Sequence, residues 1–312
     1  MENFSGLNAR VTYERKEEML SDVYHENSKM RRVDGQMWGR RFQGIRNNTQ
    51  LCKAMSKTYK EYPNNKSIDL DKEFEKSNLS FEDTIINRRT TRAFSGGSIT
   101  KNELSKLLYL TYGITISFKA FGQHGGFFHS PEYVVGPKAI DTANDYDGYQ
   151  SFRASASGGG LYPLEFYVVI NNVESIAKGL YHYNVRMHKL ELLKEGDLVD
   201  KFSDLTFNEE WQKKASVHFI ITSMMDRTRF KYLERGYRFV NIDLGHAMEN
   251  LYLTATSCKL GCAAIGGFYD DEVNKFLGIN AINETTMLIA NVGPHVDEEA
   301  NPLVKSNLKL KE

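Results

Sequence analysis

The chain has 312 residues, 41% of them hydrophobic and 12% aromatic, enough to bury a substantial core in one large or two modest domains. Its 40 basic residues balance 40 acidic ones, which removes any whole-chain electrostatic case for nucleic acid or an anionic membrane as the main partner. The three cysteines, Cys52, Cys258 and Cys262, form no disulfide framework and have no nearby histidine at zinc spacing, so they read as core thiols.

The opening MENFSGLNARVTYERKEEML carries charges where a signal peptide needs an apolar core, and no run of about eighteen apolar residues occurs. A cytoplasmic chain without a membrane segment is therefore expected. Residues 1–79 are polar and lysine-rich with weak periodicity, an N-terminal extension or small helical subdomain ahead of a main domain over 80–312. Within the extension, KMRRVDGQMWGRRFQGIR gathers basic residues, as either a solvated face or a docking surface. FEDTIINRRTTRAFS predicts a short helix ending in a basic turn. TKNELSKLLYLTYG begins with Thr100 and Glu103 at capping-box spacing and places Leu104, Leu107, Leu108 and Thr111 on one side of a helix. Residues 117–153, rich in Gly, His and Tyr, read as a long loop placed to cover a site.

In RASASGGGLYPLEFYVVI, residues 153–170, three glycines run into the strand LEFYVVI. A phosphate loop has the opposite order, strand then glycines then helix, and no G-x-G-x-x-G follows any strand, so nothing supports a Rossmann site. GLYHYNVRMHKLELL reads as a hairpin and ASVHFIITSM as a further strand. Val240, Leu244, Ala247, Leu251 and Ala255 recur at helical spacing in a long helix that stops near Lys259 and Gly261. CAAIGGF, a short helix at DEVNKFLGI and the strand TMLIANVG complete an α+β domain in which helices flank a sheet.

Two clusters point to ligand chemistry. Arg88, Arg89 and Arg92, interleaved with Thr90 and Thr91, offer forked donors and hydroxyls suited to a phosphate monoester, although cations also gather at ordinary helix ends. The glycines let a backbone approach a flat ligand while Ser155 and Ser157 offer donors, a tight turn into a strand being the plainer alternative. Gly266 and Gly267 repeat the pattern. His246, beside core positions of the long helix, reads as a satisfied structural histidine, and His124 and His129 lack a third ligand, so no metal is assigned.

RRTTRAF, the RASASGGGLYPLEFYVVI loop and strand, GLYHYN with KLELL, RGYRFVNIDLGHAMENLYLTATSCKLG and AAIGGF, in that order, resemble the nitroreductase-fold flavoproteins, specifically the SagB-type (McbC-like) dehydrogenases, over roughly residues 80–294. YHENSKM is similar to the opening of SagB-type chains. The resemblance implies a mostly antiparallel sheet flanked by helices, an intertwined homodimer and FMN at the interface. It places Arg88, Arg89, Thr90 and Arg92 on the FMN phosphate and ribityl chain. It lays Ser155, Ser157, Gly158 and Gly159 along the isoalloxazine ring, with Gly266 and Gly267 at its other side. Where the family loop commonly reads Pro-Ser, this chain has Ala156-Ser157, which puts loop rigidity in question.

The family's azole-forming members oxidise thiazoline or oxazoline rings of a ribosomal precursor peptide, losing a proton from Cα and a hydride from Cβ, with oxygen reoxidising the flavin. Lys231-Tyr232 in FKYLERGYR matches the Lys-Tyr pair that such members use. Adjacent helical residues point about 100° apart, so both reach one substrate only at a helix end or bend; an exposed amphipathic helix is the plainer reading. The rivals are a general NAD(P)H-dependent nitroreductase or quinone reductase and a non-catalytic scaffold subunit. A dehydrogenase would have the precursor peptide and cyclodehydratase subunits as partners, with Arg31, Arg32, Arg40 and Arg41 a candidate contact.

Overall fold

The computed structural model describes residues 19–48, 50–51, 55, 58–119, 133–142, 149–207 and 209–296. Cys52, His124 and His129 lie outside these residues. In chain order the elements are α1 (Leu20–Asn27), α2 (Gly35–Arg46), β1 (Ser67–Asp69), α3 (Phe81–Asn87), α4 (Lys101–Tyr112), β2 (Ile114–Lys119), β3 (Tyr133–Val135), α5 (Lys138–Thr142) and β4 (Tyr149–Arg153). They continue with β5 (Leu164–Ile170), β6 (Gly179–Asn184), β7 (Lys189–Glu195), α6 (Val199–Asp204), α7 (Glu210–Lys213), β8 (Val217–Ser223), α8 (Asp226–Tyr232), α9 (Arg235–Ser257), β9 (Gly261–Ile265), α10 (Asp270–Leu277) and β10 (Thr285–Gly293).

A seven-stranded sheet runs β1-β7-β6-β5-β8-β10-β9, every neighbouring pair antiparallel. The central strand β5 is buried along its whole length because both faces are covered. Leu164, Phe166, Val168 and Ile170 join the core formed with α4 and α9, whereas Tyr167 and Val169 meet Phe202 of α6 and Val273, Phe276 and Leu277 of α10. That explains why LEFYVVI lacks the alternation of a half-exposed strand.

Helix α4 begins with the predicted capping box. The Thr100 hydroxyl accepts from the Glu103 N–H at 3.1 Å and the Glu103 carboxylate accepts from the Thr100 N–H at 2.7 Å. Leu104, Leu107 and Leu108 are fully buried, each contributing about 1.5–3 kcal/mol of transfer free energy. No helix among the described residues is long and apolar enough to cross a membrane.

The long loop expected over 117–153 is in part a second sheet of order β3-β2-β4. Ile116, Ser117 and Phe118 pair with Val135, Val134 and Tyr133 on one side and with Phe152, Ser151 and Gln150 on the other. The partners lie fifteen or more positions apart along the chain, and those in β4 more than thirty, so no local alternation marks the pairing. Strand β4 ends at Arg153 and feeds the glycine loop directly.

The segment before α3 packs against the sheet. Its strand β1 pairs with β7, and Lys60 Nζ reaches Tyr167 Oη at 2.6 Å and the Glu284 carboxylate at 2.5 Å. Burial disfavours the Lys60 ammonium, but Glu284 outweighs it and raises the lysine's pKa.

Candidate functional site

One face of α9 follows the glycine loop residue by residue, in reverse order. Phe239 lies under Gly158, where a Cβ would come within 3.2 Å of its side chain. Asp243 accepts from the Ser157 hydroxyl at 2.6 Å and from the Gly158 N–H at 3.0 Å. His246 Nδ1 lies 3.3 Å from the Ala156 carbonyl, and Asn250 donates to Ser155 Oγ at 3.2 Å. These four positions recur at i, i+4, i+7 and i+11, a single stripe of an α-helix.

The loop is also held from inside. Ser155 donates to the Thr111 carbonyl at 2.6 Å, and Ser157 Oγ accepts from the Tyr162 N–H at 2.9 Å. Both serine hydroxyl hydrogens are thus engaged within the protein, so these residues shape the loop, and its glycine backbone forms the exposed lip. The α9 stripe supplies a rigidity that Ala156 alone would not. His246 is satisfied, as expected, but it stands at the surface on the loop rather than in the core. Before the loop, buried Arg153 lies 4.4 Å from the Tyr112 ring centroid and 4.7 Å from that of Tyr162.

Lys231 and Tyr232 meet this loop at Gly159. The glycine has φ +72°, and a Cβ there would stand 2.4 Å from Tyr232 Oη and 2.7 Å from Lys231 Nζ. The helix end that adjacent residues need in order to converge is present: α8 stops at Tyr232, and Leu233 turns the chain with φ 50° and ψ −139°. The Tyr232 ring is 4.6 Å from Phe239 and 5.9 Å from Phe42 of α2, centroid to centroid. Arg41 of α2 donates to the Lys231 carbonyl at 3.1 Å and to the Phe230 carbonyl, satisfying two of the acceptors that a helix end leaves open. Arg31, Arg32 and Arg40 are exposed. Arg41 alone of the four basic residues therefore turns inward onto the site.

Burial raises the pKa of Tyr232, with the nearby Asp243 charge adding to it, so the phenol keeps its proton well past neutral pH. Burial likewise raises the Asp243 carboxyl, against the opposing hydrogen bonds from Ser157 and Gly158.

Helix α8 is tied to the sheet by a buried ionic chain. Arg227 Nη1 lies 2.5 Å from Glu165 and donates to the Tyr162 carbonyl at 3.2 Å. His182 stands between Glu165 and Glu191, each ring nitrogen 3.1 Å from a carboxylate oxygen, an arrangement that requires both nitrogens to carry hydrogen. Burial opposes that charge, but the two carboxylates outweigh it and raise the pKa of His182. Burial alone would also raise Glu165; Arg227, His182 and Arg153 hold it down at about 2.

The arginine run divides by the alternation of an extended chain. Arg88 stacks 5.2 Å from the Tyr252 ring centroid with Nε 4.0 Å from Glu249, and Thr90 Oγ1 lies 3.3 Å from Tyr252 Oη. Arg89 instead donates to the Ile86 and Arg88 carbonyls at 2.8 and 2.7 Å, a helix-end contact, and lines a cavity of about 240 Å³ with Thr90, Thr91, Lys259 and His295. Arg92 is exposed. Tyr252 Oη also accepts from the Ala264 N–H at 2.9 Å, two residues before Gly266. At Gly266 a Cβ would meet open space, while at Gly267 it would come within 2.6 Å of Phe207.

Tyr252 follows Phe239 by thirteen residues, about 20 Å along α9 and about 140° round it. The glycine loop with Lys231 and Tyr232, and the Arg88 and Thr90 pair with the second glycines, therefore flank the exposed strip of Ile242, Gly245 and Glu249 from opposite sides.

Sequence reasoning did not single out Phe239, Asp243, Asn250 or Tyr252, and it placed Arg41 on a partner contact and not against the Lys231 and Phe230 carbonyls. A signal existed for Asp243 and Asn250. Polar residues at 243, 246 and 250 share a stripe bordering the apolar positions of α9, where the chain either exposes them or gives them partners.

The comparisons agree with this architecture. The nitroreductase family model matches residues 85–293. A protein of Methanocaldococcus jannaschii, named as a nitroreductase, is 27% identical over 219 residues, 70% of this chain and 93% of its own length. The trifolitoxin-processing protein TfxB of Rhizobium leguminosarum bv. trifolii is 32% identical over 153 residues, 47% of this chain and 41% of its own. The microcin B17-processing protein McbC of Escherichia coli is 24% identical over 153 residues, 47% of this chain and 56% of its own. The match to these two thus spans about half of each relative. Among solved structures, a nitroreductase of Anabaena variabilis superposes with TM-score 0.57 and 26% identity over 76% of this chain and 44% of that one. The E. coli microcin synthetase McbBCD complex with truncated pro-MccB17 bound gives TM-score 0.50 at 20% identity over 75% of this chain and 80% of that one, a likeness of fold. With more than half its length matched by one family model and an antiparallel sheet sandwiched between helices, the chain belongs to the nitroreductase family, and part of it is homologous to the peptide-processing proteins McbC and TfxB.

Proposed function

We propose that the protein is a SagB-type, FMN-dependent dehydrogenase that oxidises thiazoline or oxazoline rings of a ribosomally made precursor peptide to thiazoles or oxazoles. The observation that carries this reading is the convergence of Lys231 and Tyr232 on Gly159, the left-handed glycine of the exposed loop. Kinship with two proteins named for processing toxin and microcin peptides supports a peptide substrate.

The residues present fit FMN. The Gly158 and Gly159 backbone offers a flat approach, the space beside Gly266 is open, and Arg88 and Thr90 supply a cation and a hydroxyl at the opposite flank of α9. Ser155 and Ser157 hold the loop in place, Gly267 packs on Phe207, and Arg89 and Arg92 add positive charge beside Arg88. When bound, FMN supplies the acceptor for the hydride leaving ring Cβ. Lys231 Nζ takes the proton from ring Cα. Tyr232, kept protonated by burial, donates a hydrogen bond through Oη to the ring heteroatom and orients it. Asp243 keeps the loop at the height these two side chains require.

The two regions flank the exposed Ile242, Gly245 and Glu249 strip, and half-exposed Ile242 suits contact with a second copy, so in this reading the working unit is a homodimer. Cyclodehydratase subunits and the precursor peptide are the further partners, with exposed Arg31, Arg32 and Arg40 as a contact for them. A general NAD(P)H-dependent reductase is the rival reading, favoured by the archaeal relative matched over 93% of its length.

The test is the visible flavin absorbance of the FMN-loaded protein under anaerobic conditions. Bleaching by a thiazoline peptide and not by NADH or NADPH is expected, and Lys231→Ala should abolish it. Rapid bleaching by reduced nicotinamide alone moves the assignment to a general reductase. Azole formation that survives Lys231→Ala assigns the scaffold role, and a protein that takes up no FMN overturns the reading of both glycine loops and the arginine run.

A further inference from the structure

Near the Lys231 and Tyr232 pair lies a cavity of about 300 Å³. Its walls place it in the site. Leu161 directly follows the glycine triplet, Phe230 directly precedes Lys231, and Leu51, Met55 and Thr58 close the far side. Met55 and Leu161 are buried and belong, with Ile45, to an apolar cluster against which Phe230 and Tyr232 pack. The cavity and the Tyr232 ring therefore share a wall.

The polar groups at its border already have partners. Arg227 engages Glu165 and the Tyr162 carbonyl, and the Thr58 carbonyl and hydroxyl lie 2.6 and 3.5 Å from Arg153 Nη2. Asp226 is largely exposed, with its carboxylate 3.9 Å from Arg229. A polar occupant would find few groups to replace its lost water, whereas an apolar one would gain contacts with leucine, methionine and phenylalanine. The volume is at the small end for a ligand pocket, suited to one side chain and not to a whole cofactor.

We propose that this cavity is a specificity subsite for an aliphatic or aromatic side chain of the substrate peptide, on the residue flanking the ring that Lys231 and Tyr232 act on. The inference rests on the peptide reading of the site. Tyr232 packs on the same Met55 and Leu161 cluster that lines the cavity, so a peptide whose ring meets the pair has a neighbouring residue within reach of the cavity. The pocket thus selects which azoline of a precursor is oxidised.

The test uses the FMN-loaded full chain and two otherwise identical thiazoline peptides, with leucine or glycine next to the ring. Equilibrium affinity is read by fluorescence anisotropy and turnover by anaerobic flavin bleaching. The leucine peptide should bind about ten- to a hundredfold more tightly, the range for burying one such side chain. Met55→Trp, which fills the cavity, should erase that ratio. Equal affinity of the two peptides for the unaltered protein overturns the subsite, as does a preference that persists in both Met55→Trp and Leu161→Phe. Because affinity is measured apart from turnover, a leucine preference without bleaching supports the subsite and refutes the oxidation, and bleaching without preference does the reverse.

Discussion

Gly159→Ala separates backbone strain from the crowding that defines the site. Gly159 has φ +72°, and Gly278 at the end of α10 has φ +77° with nothing within 4 Å of its would-be Cβ. Alanine costs about 1–2 kcal/mol in either left-handed conformation. Only at 159 does the new methyl also stand 2.4 Å from Tyr232 Oη and 2.7 Å from Lys231 Nζ. Ordinary contact begins near 3.5 Å, so both side chains must retreat by about 1 Å. Tyr232 has little room for this, with Phe239 and Phe42 rings at 4.6 and 5.9 Å. A misplacement of about 1 Å at a reacting group is worth roughly a hundredfold in rate. Both variants should therefore lose at least 1 kcal/mol in urea denaturation, while only Gly159→Ala loses about a hundredfold in kcat for azoline oxidation. Gly159→Ala turning over at the rate of Gly278→Ala would refute the placement of the pair against the loop.

His182→Gln removes a buried cation from between Glu165 and Glu191 and should cost about 3–5 kcal/mol at pH 6. Because the pKa of His182 is raised on folding, its stabilisation is complete below the unfolded value of 6.5 and lost as pH rises through the folded one, so denaturation midpoints of the variant should lack that alkaline decline. Asp243→Ala frees Ser157 and the Gly158 N–H, and FMN affinity measured by fluorescence quenching should fall about tenfold or more, whereas unchanged affinity would mean that the loop holds itself. Arg41→Ala should leave the main sheet intact while amide exchange in α2 and in the last turn of α8 accelerates; protection equal to that of the unaltered chain would show the contact to be idle.

Much of the fold was legible because its signals are local. The Thr100 and Glu103 box, the α9 periodicity and the apolar run of β5 each reflect one element meeting one environment. The β2–β4 pairing was not legible, since its hydrogen bonds join Ile116 to Phe152 across a stretch without alternation. Within the site, the glycines and the Lys231-Tyr232 pair stood out by residue type, but their meeting depends on where α8 stops. Arg88 and Arg89 look equivalent in sequence, yet extended-chain alternation sends one to Tyr252 and the other back over its own helix end. Arg41 belonged to a cluster that reads as a solvated or docking face, and only the approach of α2 to α8 gives it an inward partner.

The corner at Leu233 links stability and geometry in a further way. A leucine with φ 50° and ψ −139° occupies backbone territory that suits glycine, at a cost of about 1–3 kcal/mol that the surrounding packing must sustain. The corner behaves as a loaded spring: it lets α9 start three residues after Tyr232, and it keeps the last turn of α8 from running on or fraying. Leu233→Gly would release the tension in the folded chain and widen the choices open to that turn. Selection for a more relaxed corner and selection for a well-aimed lysine thus pull this position in opposite directions.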